Sequence, residues 1–207
     1  MTAPSRRAVV TAGLGALLVG CGGGGGGGGE GGGGASARAG GSPSPSPSAS
    51  KVKSARPLGR SEPVALRIPA IEVETPVMQL GLARDGSVEV PPLTADDRAG
   101  WYRHSPTPGQ VGPSVILGHV TVGSYGDGVF RDLGRLRRGD GIVVRLENGS
   151  AAEFGVTEVR TVAKAEFPAD DVYGDVGRPE LRLITCGGPR RGDWYRDNVI
   201  AFAVLRA

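Results

Sequence analysis

The sequence is poor in the residues that most often carry chemistry. Its two cysteines, Cys21 and Cys186, lie far apart, and its two histidines, His104 and His119, are not spaced as zinc ligands. Asp96-Asp97, Asp170-Asp171 and Asp175 lack the spacing of a calcium loop, so neither metal nor cofactor is expected. Aromatic residues make up 5% of the chain, and no basic, aromatic-interleaved face or reader motif appears; nucleic acid is therefore not an expected partner. The longest N-terminal apolar run, Ala8 to Gly20, has 13 residues, short of the roughly 20 a spanning helix needs.

Glycine and proline are abundant, but unevenly placed. Glycine fills positions 22 to 34, broken only by Glu30, and Ser42-Pro43-Ser44-Pro45-Ser46-Pro47-Ser48 follows. Such a stretch offers no apolar surface to offset the entropy of ordering, so residues 21–60 read as a disordered linker. The remainder, 61–207, is near the commonest domain size and long enough for one continuous core. Charge divides along the same line. Arg6, Arg7, Arg38, Lys51, Lys53, Arg56 and Arg60 against Glu30 give +6 up to Arg60, so the total of +3 leaves −3 for the rest.

Residues 1–20 read as a signal peptide: Arg6-Arg7, the apolar run, then Leu18-Val19-Gly20-Cys21 with a small residue before the cleavage point. Leu-Val-Gly-Cys resembles a bacterial lipobox, which implies lipid attachment at Cys21 and an anchor at the outer face of the membrane; an ordinary cleaved signal and secretion is the alternative. As a flexible coil, Gly22 to Arg60 would span about 35 Å. That length keeps a domain near the surface while letting it reorient.

Beyond Ser61 the pattern is that of strands. Val64 to Ile68, Thr75 to Leu80, Ser114 to His119, Gly141 to Leu146, Glu153 to Val162, Leu181 to Cys186 and Val199 to Leu205 are short apolar or alternating runs separated by turn signals. Asn148-Gly149 between two of them predicts a hairpin. One short helix is expected near Val129 to Leu136. The class is all-β, a barrel or a sandwich.

Leu183-Ile184-Thr185-Cys186-Gly187-Gly188 places the only cysteine of this domain at the end of a strand-like run, with Arg196 a short loop away. A thiol is a strong intrinsic nucleophile, and a nearby cation favours its ionised form. A proton carrier is needed, and Val115-Ile116-Leu117-Gly118-His119 ends another strand-like run with one, whereas His104 sits among prolines in a loop. Arg190 and Arg191 compete with Arg196 for the role of cation.

The ordered set of Gly118-His119, Leu183-Ile184-Thr185-Cys186-Gly187-Gly188 and Tyr195-Arg196-Asp197-Asn198-Val199 resembles the sortases, cysteine transpeptidases of Gram-positive cell surfaces, and is nearest the actinobacterial class E/F type. The resemblance runs from about Pro63 to Leu205. It implies an eight-stranded β-barrel with one or two short helices, His119 after the fourth strand, Cys186 ending the seventh and Arg196 beginning the eighth. It also implies that Cys186 attacks the threonine carbonyl of a C-terminal sorting signal in a secreted protein, His119 protonates the leaving amine and Arg196 donates to the oxyanion. An amine of the peptidoglycan precursor then resolves the thioester. Thr185 resembles the threonine that lines the substrate groove. In one respect the chain departs from many relatives: Val120-Thr121-Val122-Gly123 follows the histidine where they have an aspartate. Two rival readings are a secreted cysteine hydrolase and a non-catalytic wall-binding β-domain.

Overall fold

The structure, a computed structural model, describes residues 55–94, 97–192 and 194–207. The expected signal peptide, Cys21 and most of the linker lie outside the described residues. Eight strands occur in chain order: β1 (Pro63–Ile68), β2 (Val73–Leu80), β3 (Ala99–Tyr102), β4 (Gly112–Leu117), β5 (Gly141–Leu146), β6 (Ala151–Ala163), β7 (Pro179–Arg191) and β8 (Trp194–Leu205). They close into a barrel in the order β1-β2-β3-β4-β7-β8-β6-β5. Closure leaves no sheet edge to be protected. The β2–β3 and β4–β7 pairs are parallel and the others antiparallel.

Strand alternation sorts the apolar residues into two layers. On β7, Leu181 and Leu183 face the barrel interior with Ile116 of β4, Ala201 of β8, Trp101, Phe130 and Phe154. Ile184 faces outward with Val115, Ile200 and Phe202, and the helix α1 (Ala169–Tyr173) covers this outer layer through Val172. The outer layer therefore lines one flank of the barrel, beside the end of β7. Leu58 packs on the interior cluster, and its N–H donates to the Gly109 carbonyl.

Seven of the eight strands follow the sequence pattern, and the Asn148-Gly149 turn joins β5 to β6. β3 was not foreseen: Ala99-Gly100-Trp101-Tyr102 is too short for an alternation to show, and it is held by parallel pairing with β2. The helix expected over Val129 to Leu136 is a correction: only a 3₁₀ turn, Leu133–Arg135, forms there. Phe130, Leu133 and Leu136 are buried at a spacing of three, the repeat of a 3₁₀ helix, and Leu133, Arg135 and Leu136 each bond to the carbonyl three residues back.

Candidate active site

β4 and β7 run parallel and side by side, with Leu117 in register with Ile184. His119 stands two residues beyond the end of β4, and Cys186 two residues beyond Ile184. The Gly118 N–H donates to the Ile184 carbonyl at 3.1 Å, which carries the pairing up to the histidine. After His119 the chain folds back on itself: its carbonyl accepts from the Phe130 N–H at 2.8 Å. Gly128 lies so close that a Cβ there would sit 2.3 Å from the His119 oxygen, so only glycine fits this return.

His119 and Cys186 line one cavity of about 330 Å³ with Leu93, Val120, Thr121, Gly123, Lys164, Arg190, Trp194 and Tyr195. No carboxylate lines it among the described residues, while two cations do. Cys186 is a free thiol, half-buried. The Nε2 of His119 lies 2.6 Å from the Pro91 carbonyl. Lys164, Trp194 and Leu93 were not singled out from the sequence; each comes from a separate loop or strand end, and no local motif marks them.

β7 does not end at the cysteine. It continues to Arg191 past a bulge in which Gly188-Pro189 oppose the single residue Arg196. Gly188 has φ +71, and a Cβ on it would come 1.9 Å from the Asp197 carboxylate, so glycine is required at the kink. The bulge decides which arginine reaches the cavity. Arg190 lines it and lies 6.0 Å over the Tyr195 ring. Arg196, in the third position of β8, is exposed; it shares the outward parity of Asn198, the partner of Cys186, but is not part of the cavity lining. Thr185 pairs with Val199 on the interior face, is 4% exposed, and has an Oγ1 with no hydrogen-bond partner. Alternation turns it away from the face that carries Cys186. His104 is a loop residue, edge-on to Tyr102 at 5.4 Å.

On the same outer face, Leu117, Phe167 and Tyr102 pack beside Ile184 and Val172, and Tyr173 meets both Tyr102 and Phe167. Burial, with Tyr102 adding to it, raises the Tyr173 phenol above its usual value, so it is a neutral hydrogen-bonding group at physiological pH. Below α1 lies a charged network. Arg160 bonds Glu158 and Asp171, and Glu180 accepts from Arg178 and Arg182, each at 2.6 Å. The Arg160 and Arg182 guanidiniums lie 4.5 and 4.7 Å from the Phe202 ring. Arg182 Nε donates to the Asp171 carbonyl, which ties α1 to the barrel wall.

Comparison with known proteins agrees with this architecture. The Sortase domain family matches residues 66–206. Among solved structures, the chain is similar to a sortase D5 transpeptidase of Clostridium perfringens, with a TM-score of 0.53 and 19% identity over 70% of this chain and 79% of that one. It is similar to sortase C-1 of Actinomyces oris at 0.54 and 22%, over 70% and 76%, and to sortase A of Listeria monocytogenes at 0.51 and 20%, over 70% and 88%. No curated protein matches the chain. At these identities the structural likeness speaks for the barrel, while the domain match covers well over half the sequence. The chain belongs to the sortase family and is a sortase transpeptidase.

Proposed function

We propose that Cys186 is the nucleophile and His119 the proton carrier of this sortase, and that its substrate is the C-terminal sorting signal of a secreted protein. The observation that carries this reading is that the two residues, one just past β4 and one on β7, line the same cavity. The lining supports it, since Leu93, Trp194 and Tyr195 give the cavity beside Cys186 an apolar wall. An extended peptide lying there presents its carbonyl to the thiol.

In the first half-reaction Cys186 Sγ adds to the threonine carbonyl carbon, the C–N bond breaks, and His119 gives its proton to the departing amine. In the second, an amine of the peptidoglycan precursor attacks the thioester, a new amide forms, and the thiolate regains a proton. One amide is exchanged for another, and no water is consumed. Arg196, as the motif implies, stabilises the oxyanion by hydrogen bonding. A second reading assigns that task to Arg190, because it is Arg190 that lines the cavity.

Anchoring of the enzyme through a lipid on Cys21, at the outer face of the membrane, is the second part of the proposal. The lipobox-like Leu18-Val19-Gly20-Cys21 supports it. Labelling with a radioactive fatty acid in cells should mark the wild-type chain and not Cys21→Ala.

The test of function is incubation with sorting-type pentapeptides and an amine, followed by mass spectrometry of the products. New amide supports the transpeptidase on these residues. Acid as the sole product favours a hydrolase, and an unchanged peptide with every motif favours a wall-binding domain.

A further inference from the structure

We infer that the main-chain carbonyl of Pro91 is the group that orients His119, holding a proton on Nε2 and leaving Nδ1 as the nitrogen that exchanges a proton within the cavity. This rests on the catalytic reading of His119. The stretch after the histidine, Val120-Thr121-Val122-Gly123, supplies no carboxylate, and an imidazole without a fixed partner on one nitrogen populates both tautomers and swings about its side-chain bonds. The structure gives it a partner from elsewhere in the chain. Pro91 O lies 2.6 Å from His119 Nε2. A carbonyl oxygen only accepts, so Nε2 must carry the hydrogen. Nδ1 is then the remaining ring nitrogen for exchange with the substrate.

The carbonyl is well placed to do this because its direction is restricted by sequence. Pro91 has its own φ fixed by its ring, and Pro92 restricts the ψ of Pro91, so the peptide between them has few orientations. Pro91 is buried, whereas Pro92 is exposed. The loop that holds them is fastened at both ends. Near β2, the Gly81 N–H donates to Glu89 Oε2 at 2.7 Å, and Leu82 bridges Val88. Near β3, the Asp97 carboxylate accepts from the Val129 N–H, in the same return segment whose Phe130 N–H bonds to His119 O. The Pro91 loop and the His119 loop are thus joined beside the histidine as well as at it. Leu93, two residues on, lines the cavity with Cys186, Lys164, Arg190 and Tyr195. Pro91 is a positioning residue, acting through His119.

The test is ring ¹⁵N NMR of the full-length chain labelled at histidine, with the His119 signals assigned by their loss in His119→Ala. In the neutral ring the expected result is a protonated Nε2 and an unprotonated Nδ1, with the Nε2 hydrogen protected from exchange. Pro92→Gly frees the ψ of Pro91 without removing a buried side chain. It should mix the tautomers, expose that hydrogen to exchange, and lower kcat roughly tenfold with little change in KM. A proton on Nδ1 in the wild type overturns the inference without need of any variant. So does a Pro92→Gly protein in which tautomer or kcat is unchanged. If His119→Ala keeps full turnover while Nε2 is found protonated, the catalytic assignment of His119 fails and the contact with Pro91 stands, so the two failures are distinguishable.

Discussion

Two regions of the barrel gather cations, and they surround them differently. Beneath α1, Arg160, Arg178 and Arg182 are matched by Glu158, Asp171 and Glu180, with the Phe202 ring between two guanidiniums. At the end of β7, Arg190 and Lys164 line a cavity to which no described acid contributes, together with Cys186 and His119. In the first region each cation is held by acids of this chain, and the result is a wall that fixes α1. In the second, Arg190 donates to the Gly192 carbonyl, and the two cations border the volume that holds the thiol and the imidazole. Cations packed against acids hold the wall together, and cations at the cavity set the surroundings of the thiol.

The largest effect should come from the cavity. Replacing Cys186 by alanine should abolish amide formation while leaving the melting temperature near that of the wild type, because the thiol is half-buried and joins no disulfide. Next come the two arginines on either side of the bulge. Loss of an oxyanion donor typically costs about 10²- to 10³-fold in kcat, and that loss should fall on Arg196→Ala if the motif identifies the donor, or on Arg190→Ala if the cavity lining does. Measuring both variants against one peptide decides between them. Near-normal turnover without Arg196 rejects its assignment.

The wall should respond in stability instead. Glu180→Ala leaves the 3%-exposed Arg182 without its carboxylate and should cost about 3 kcal/mol by denaturant unfolding, with kcat changed less than in the cavity variants. Burial pushes the Glu180 carboxyl up, but the hydrogen bonds and charges of Arg178 and Arg182 outweigh it and hold the group below its ordinary value. Its contribution is therefore complete above the unfolded carboxyl value of about 4.3 and is lost as pH falls through the lower native value. Acid titration of unfolding should show this loss in the wild type, and Glu180→Gln should lack it. The smallest effect is expected from Thr185→Val. Removing a buried hydroxyl that has no partner should stabilise the chain by about 1 kcal/mol and leave KM unchanged. A raised KM would show that the hydroxyl reaches the substrate after all.

Most of the barrel was legible because its long strands alternate and its turns carry glycine, as at Asn148-Gly149. The closed strand order was implied by family resemblance, since alternation along one strand says nothing about its neighbour. β3 and α1 escaped because four or five residues hold too little pattern, and the segment after Val129 forms only a 3₁₀ turn because its buried residues Phe130, Leu133 and Leu136 recur every third position. At the site, His119 and Cys186 were legible as polar residues that end apolar runs. Lys164, Leu93 and Trp194 were not, because only closure of the barrel brings their loops together. Thr185 and the arginines show the limit most clearly: adjacency to Cys186 in sequence places Thr185 on the opposite face, and one extra residue at Gly188-Pro189 sets Arg190 and Arg196 apart.

The central claim is that Cys186 carries the acyl group. Intact-mass analysis of the enzyme after a short exposure to a turned-over sorting peptide, without amine, followed by peptide mapping, tests it most directly. The account predicts a hydroxylamine-labile adduct on the peptide that contains Cys186, absent from Cys186→Ala and collapsing to amide when amine is added. Amide product formed at the wild-type rate by Cys186→Ala, or an adduct mapped to any other residue, would contradict it.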